Sequence, residues 1–176
     1  MPSPSFKSGN VVLINVDSFM TTIKRMGLKV DSASQQALLK VGVHLERKLK
    51  QRLSRPGGGR TYQTGKKGAR YKFRKSSAPG QPPAVDTGRL RNSITHNVTG
   101  RPGNVLPNPG GRKGFIKAYV GTNVAYGYYL ERGVKSRNIL PRPWFYITVQ
   151  SQMNRTRTIL RTSLKNYIKQ EARKRK

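Results

Sequence analysis

Between Ser77 and Ile94 the chain reads S-A-P-G-Q-P-P-A-V-D-T-G-R-L-R-N-S-I, and this stretch limits the possible folds more than any other. Pro79, Pro82 and Pro83 fix φ, remove backbone donors and push Ala78 and Gln81 towards extended conformations. The segment is therefore expected as a stiff, polyproline-like strap. A short helical turn through Gly88, Arg89, Leu90 and Arg91 should follow, with Asp86 or Thr87 supplying an oxygen for an otherwise unpaired N–H at its start. Arg89 and Arg91 are then presented from a rigid base.

The flanking segments predict an α+β fold. Val11 to Val16 is β-branched and bounded by Asn10 and Asp17, which predicts a strand, and Ser18 to Met26 predicts a short helix ended by Gly27. From Ser32 to Leu53 the period becomes helical, with Leu38, Val41, Leu45, Leu49 and Leu53 on one stripe and basic residues opposite. Asp31 or Ser32 is expected to cap this helix, and Pro56 to Gly59 to stop it. Ile94 to Val98 and Phe115 to Gly121 predict two strands that pair with each other and with Val11 to Val16, joined through a Pro/Gly/Asn-rich loop from Gly100 to Gly114. Ala125 to Glu131 predicts a short aromatic helix with Gly133 just past its end. Pro143 suits the first turn of a last helix whose stripe is Val149, Met153, Thr156, Leu160, Leu164 and Tyr167. The chain closes in a basic tail, 169 to 176, of which Glu171 to Lys176 is expected to fray. The expected architecture is one domain over 1–176: a small antiparallel sheet packed by a long helix from the N-terminal half and a C-terminal helix, with extended basic loops or a hairpin.

Charge sets the partners. Thirty-six Lys and Arg against six Asp and Glu give a formal charge of +30, so the chain repels itself and is drawn to nucleic acid or to acidic protein surfaces. A hydrophobic content of 34% implies a core that covers only part of the chain. The block 55–84 forms a basic arm, in which Arg60, Lys66, Lys67, Arg70, Lys72, Arg74 and Lys75 surround Tyr62, Thr64, Ala69, Tyr71 and Phe73 at alternate positions. Two readings stand side by side here: a β-hairpin turning at G-K-K-G, and a solvated basic loop that orders only on a partner. The absence of cysteine excludes disulfides and thiolate metal sites and suits a reducing cytoplasm. No apolar run approaches a membrane span, and no signal-peptide core follows Met1, so a soluble chain is expected.

The candidates for catalysis are few. The carboxylates are Asp17, Asp31, Glu46, Asp86, Glu131 and Glu171, and the histidines are His44 and His96. They form no evident acid–base set. His44 lies near the buried stripe of the long helix and is expected to be a satisfied, half-buried histidine, while His96 falls on a strand with no acidic neighbour in sequence. His44 and Glu46 are two apart and lie on different helix faces, which speaks against a metal site. Gly59 and Gly65 lack phosphate-loop spacing, and Ser93 has no nucleophile-elbow context. We expect no enzyme, no cofactor and no metal.

Three segments, in order, resemble the phage tail-completion or head–tail joining family of neck proteins, the gene-product-ten-like group. They are the proline strap with its helix, V-G-T-N-V-A-Y-G-Y-Y-L-E-R-G from Val120 to Gly133, and P-R-P-W-F from Pro141 to Phe145. The resemblance implies a structural virion protein made in the host cytoplasm. Its subunits would form a homo-oligomeric ring, sixfold in the family, in the neck between a head-side connector or stopper and a tail tube or tail terminator, with DNA passing through the channel and no membrane partner. The assembly interface is expected at Asp86, Thr87, Arg89, Arg91, Glu131, Arg142 and Trp144. Within it Glu131 has two readings: a buried carboxylate paired with Arg89 or Arg142, which ties strap and helices together, and a surface carboxylate of little consequence. A second function class remains beside the first, a nucleic-acid-binding protein that uses the basic aromatic hairpin.

Overall fold

The computed structural model describes residues 12–14, 30–55, 58–64, 72–98 and 116–174. The short helix expected over Ser18 to Met26 and the loop from Gly100 to Gly114 lie outside the described residues.

Helix α1, Val30–Leu53, carries the expected stripe, and Leu38, Val41, Leu45, Leu49 and Leu53 are all buried. It begins earlier than its cap candidates, so Asp31 and Ser32 lie inside the first turn. It ends as Ser54 N–H bonds back to Lys50 O, just before Pro56, whose ring and missing N–H cannot continue the ladder. The buried front of α1 is wider than one stripe. Gly42 lies against the His96 ring of the sheet, whereas His44, also buried, meets Gln152 of the last helix. The helix therefore packs against the sheet on one side and a second helix on the other.

The main sheet is antiparallel, with order β1-β5-β4: β1 Val12–Ile14, β4 Ile94–Val98 and β5 Ala118–Thr122. Val12 pairs with Val120, and His96 pairs with Val120 from the other edge. The middle strand β5 is buried from Ala118 to Gly121, as a strand with neighbours on both edges and a helix on one face should be. Between α1 and the sheet the core holds Val41, Leu45, Leu49, Leu90, Ile94, Val120, Trp144 and Phe145, and a second cluster gathers Leu38, Val98, Ile116 and Ala118.

A separate two-stranded hairpin pairs β2, Thr61–Thr64, with β3, Lys72–Lys75. The turn expected at G-K-K-G, with Lys66, Lys67, Arg70 and Tyr71, lies outside the described residues. Thr61 pairs with Lys75, Tyr62 with Arg74, Gln63 with Phe73 and Thr64 with Lys72. The base of the hairpin is closed by Gly59 N–H to Ser76 O at 2.8 Å and Ser76 N–H to Arg60 O at 2.9 Å.

Three short elements complete the fold: α2, Arg89–Asn92; α3, Tyr126–Arg132; and a 3-10 turn, Lys135–Arg137. The last helix, α4, spans Tyr146–Lys174. Two expectations about it are corrected. Pro143 lies before the helix and not in its first turn, since α4 starts at Tyr146 and the N–H groups of Trp144 and Phe145 leading into it are held by a carboxylate described below. The fraying expected from Glu171 is absent as far as Lys174: α4 is helical to that residue, since Leu160 and Ile168 pack beside the Leu38 cluster and no Gly or Pro interrupts the run. Among the described residues no helix is long and apolar enough to cross a membrane.

Candidate assembly interface

The three segments singled out in the sequence meet at one end of the molecule. Gln81 Oε1 accepts Gly58 N–H at 3.2 Å and Ala78 N–H at 3.4 Å, which ties the exit of α1 to the proline strap. Gly80 N–H donates to Pro141 O at 3.0 Å, so the strap is also tied to the approach to α4. Arg142 N–H in turn reaches Leu130 O at 2.7 Å. Each bond is modest alone. Together they join α1, strap, α3 and α4 into one platform.

Glu131 is the centre of that platform, in a role that the sequence reading did not assign. Its Oε2 accepts the N–H groups of Trp144 and Phe145 at 2.7 and 2.8 Å, and its Oε1 accepts Tyr146 N–H at 2.9 Å. The expected pairing with Arg89 or Arg142 is thus replaced by a cap. A helix start offers several fixed, unpaired N–H groups and a positive dipole end, a better match for a carboxylate than one flexible guanidinium. Arg142 is half-buried, and its Nε makes no hydrogen bond among the described residues. Trp144, expected at the interface, is fully buried and so belongs to the core beneath it. Its Nε1–H donates to Gly127 O at 3.3 Å, and its ring meets Phe145 edge-on. Gly127 allows this close approach: a Cβ there would lie 2.8 Å from Leu90 Cδ1 and 3.5 Å from the Trp144 ring.

Above the platform a pocket of about 380 Å³ opens between α1, the strap, α2 and α3. Its walls include Leu53, Pro83, Val85, Leu90, Tyr126 and Leu130, and its rim carries Asp86, Thr87, Arg89 and Arg91. Thr87 Oγ1 accepts Arg89 N–H at 3.3 Å, a bond expected of a cap candidate, with Gly88 in the left-handed region at φ 77° turning the chain into α2. Around the pocket and the neighbouring start of α4, Val85, Tyr126, Tyr129, Leu140, Tyr146 and Ile147 are exposed large apolar side chains. Arg132, stacked 5.3 Å from the Tyr128 ring centroid, adds charge beside them. Val85 and Tyr126 line the pocket itself, and the others lie on α3, in the approach to α4 and in its first turn.

A second polar cluster escaped the sequence reading because its members are fifty residues apart. Glu46 on α1 bonds His96 Nδ1 on β4 at 2.5 Å and Lys50 Nζ at 2.5 Å. Burial opposes ionisation of Glu46, but the hydrogen bonds from Lys50 and His96 outweigh it and hold the carboxyl below its ordinary value. The expectation that His44 and Glu46 diverge holds, since His44 Nε2 meets Gln152 Oε1 at 3.0 Å on the other side of the helix. Among the described residues no three His, Cys, Asp or Glu side chains group as metal ligands. Comparison with family models, with curated proteins and with solved structures returned no match.

Proposed function

We propose that this chain is a structural, non-catalytic virion subunit of a tailed phage, joining head to tail as a ring in the neck. The observation that carries this reading is the platform around Glu131. On and beside it Tyr126, Tyr129, Leu140 and Tyr146 are exposed, on a chain of formal charge +30. Exposed aromatics beside an apolar pocket support protein contact more than solvation. A closed ring requires one patch to meet a different patch on the next copy, and a rigid platform suits such a fixed angle. At +30, like subunits repel, so the apolar surface supplies the contact between copies while acidic connector and tail proteins neutralise the basic arm, including Arg60, Lys72, Arg74 and Lys75.

The test is assembly. Tyr129→Asp and Leu140→Asp change exposed side chains and leave the core intact, so each subunit should fold normally but fail to form rings by analytical ultracentrifugation and to restore infectious particles in complementation. For the wild type, added salt should promote self-association by screening the repulsion. Normal particle yield from both variants would refute the neck reading. The runner-up, a nucleic-acid-binding hairpin, is favoured by Lys72, Arg74 and Lys75 in the sequence of β3.

A further inference from the structure

We infer that the solvent face of α4 is a binding track for a nucleic-acid phosphate backbone, distinct from the hairpin and from the apolar platform. Arg157, Arg161, Lys165, Lys169 and Arg173 recur every fourth residue along the helix, and all five are exposed. Each step rises about 6 Å and turns about 40° further round the helix, so the ladder climbs about 24 Å. It crosses the side opposite Val149, Thr156 and Leu164, which are buried against the body. Glu171 is the one carboxylate in the sequence of this helix.

Two features separate this ladder from an ordinary solvated face. Like charges four residues apart repel and weaken a helix, so a ladder of five cations whose only nearby acid in the helix sequence is Glu171 works against the element that carries it. Beside it runs a second exposed row, Thr158, Thr162, Asn166 and Gln170, of hydroxyls and amides with no apolar side chain. A protein interface centres on apolar and aromatic groups and is poor in lysine. Cations flanked by hydroxyl and amide donors are the set that meets phosphate oxygens. A second copy of this chain is excluded as occupant by charge, and an acidic protein would find no apolar anchor here. The rise of about 24 Å equals about seven base-pair steps measured along the axis of a DNA duplex. With every contact to the backbone, binding is independent of sequence.

The inference is independent of the neck reading: this test measures DNA binding by the free, full-length chain, whereas that one measures rings and particles. Fluorescence anisotropy with a labelled duplex of about 30 base pairs, between about 50 and 300 mM NaCl, gives the log–log salt slope. Changing Arg157, Arg161, Lys165, Lys169 and Arg173 to Gln should reduce that slope by about 4 to 5 and weaken binding at least about a hundredfold at physiological salt. A control with Lys40, Arg47, Arg55, Lys135 and Arg137 changed to Gln removes the same formal charge from exposed sites elsewhere and should change the slope by less than half as much. A third variant, with Arg157, Arg161 and Arg173 changed to Lys, keeps charge and should keep the slope. Circular dichroism checks that each variant is helical. Failure of the wild type to bind duplex, equal loss in ladder and control variants, or displacement of DNA by polyglutamate at equal charge concentration would each overturn the inference.

Discussion

Replacing Glu131 tests the platform most directly. Its carboxylate accepts three N–H groups at 2.7 to 2.9 Å at the start of a 29-residue helix. Loss of a side-chain cap costs about 1 kcal/mol, and a negative charge at a partly buried helix start contributes up to about 2 kcal/mol more. Glu131→Gln keeps an oxygen for part of this set and gives up the charge, so we expect a loss of about 1 to 2 kcal/mol. Glu131→Ala leaves all three donors without an acceptor, and we expect about 3 kcal/mol. In a chain of this size each kcal/mol lowers Tm by about 2 to 4 °C, so the alanine variant should melt about 9 °C lower. Urea titration is the assay, and the midpoint should fall with an unchanged slope. Double-mutant cycles with Arg89→Gln and Arg142→Gln then separate cap from ion pair. Coupling to Glu131→Gln should stay below about 0.5 kcal/mol. A coupling above about 1 kcal/mol, or two Glu131 variants as stable as the wild type, would refute the argument.

Three further outcomes follow from the packing and the polar cluster. Because the Glu46 carboxyl is held below its ordinary value of 4.5, its stabilisation is complete above that pH and lost as pH falls through the folded value, so Glu46→Gln should be less stable than the wild type near neutrality and should lose that difference on acidification, as read by urea midpoints across pH. Gly127→Ala places a methyl group 2.8 Å from Leu90 Cδ1, and overpacking of about 1 to 3 kcal/mol should appear in thermal unfolding; a variant as stable as the wild type would mean that Leu90 moves aside freely. Gly133 has φ 74°, and a Cβ there would lie 2.6 Å from Ile139 O, so Gly133→Ala should lose more than Gly127→Ala, because backbone cannot yield as a leucine tip can.

Local periodicity made most of the fold legible. The stripe from Leu38 to Leu53 and the β-branched alternation of Ile94 to Val98 each carry their burial pattern within one element, and the structure places both as expected. α2 and α3 were legible because glycine and threonine act on neighbouring φ/ψ and N–H groups, whereas the strap departs from the expected polyproline run: Gln81 N–H bonds back to Ala78 O at 3.1 Å and Gly80 takes φ 78°, a turn that Pro-Gly favours. What escaped depends on residues far apart in sequence. Glu131 was visible as a buried-pair candidate among many arginines, but its partners are N–H groups 13 to 15 residues on, which no side-chain inventory displays. His96 had no acidic neighbour in sequence, yet the crossing of α1 over β4 brings Glu46 to it.

The cap at Glu131 also separates two lengths in the chain. The excursion after α3 is closed at its base by Val134 and Ile139 bonded across to each other and by Arg142 N–H on Leu130 O, with Lys135 to Asn138 exposed at its tip. Residues spliced in at that tip leave both ends of the closure where they are, so the tip is a permissive insertion port, open to a tag or a grafted lobe without disturbing the body. The few residues from Arg142 to Phe145 are the opposite case. Removing one of them would turn the whole of α4 by about 100° about its own axis, taking Val149 and Leu164 out of the core and bringing charged side chains in. Length is therefore free on one side of the closure and strictly metered on the other.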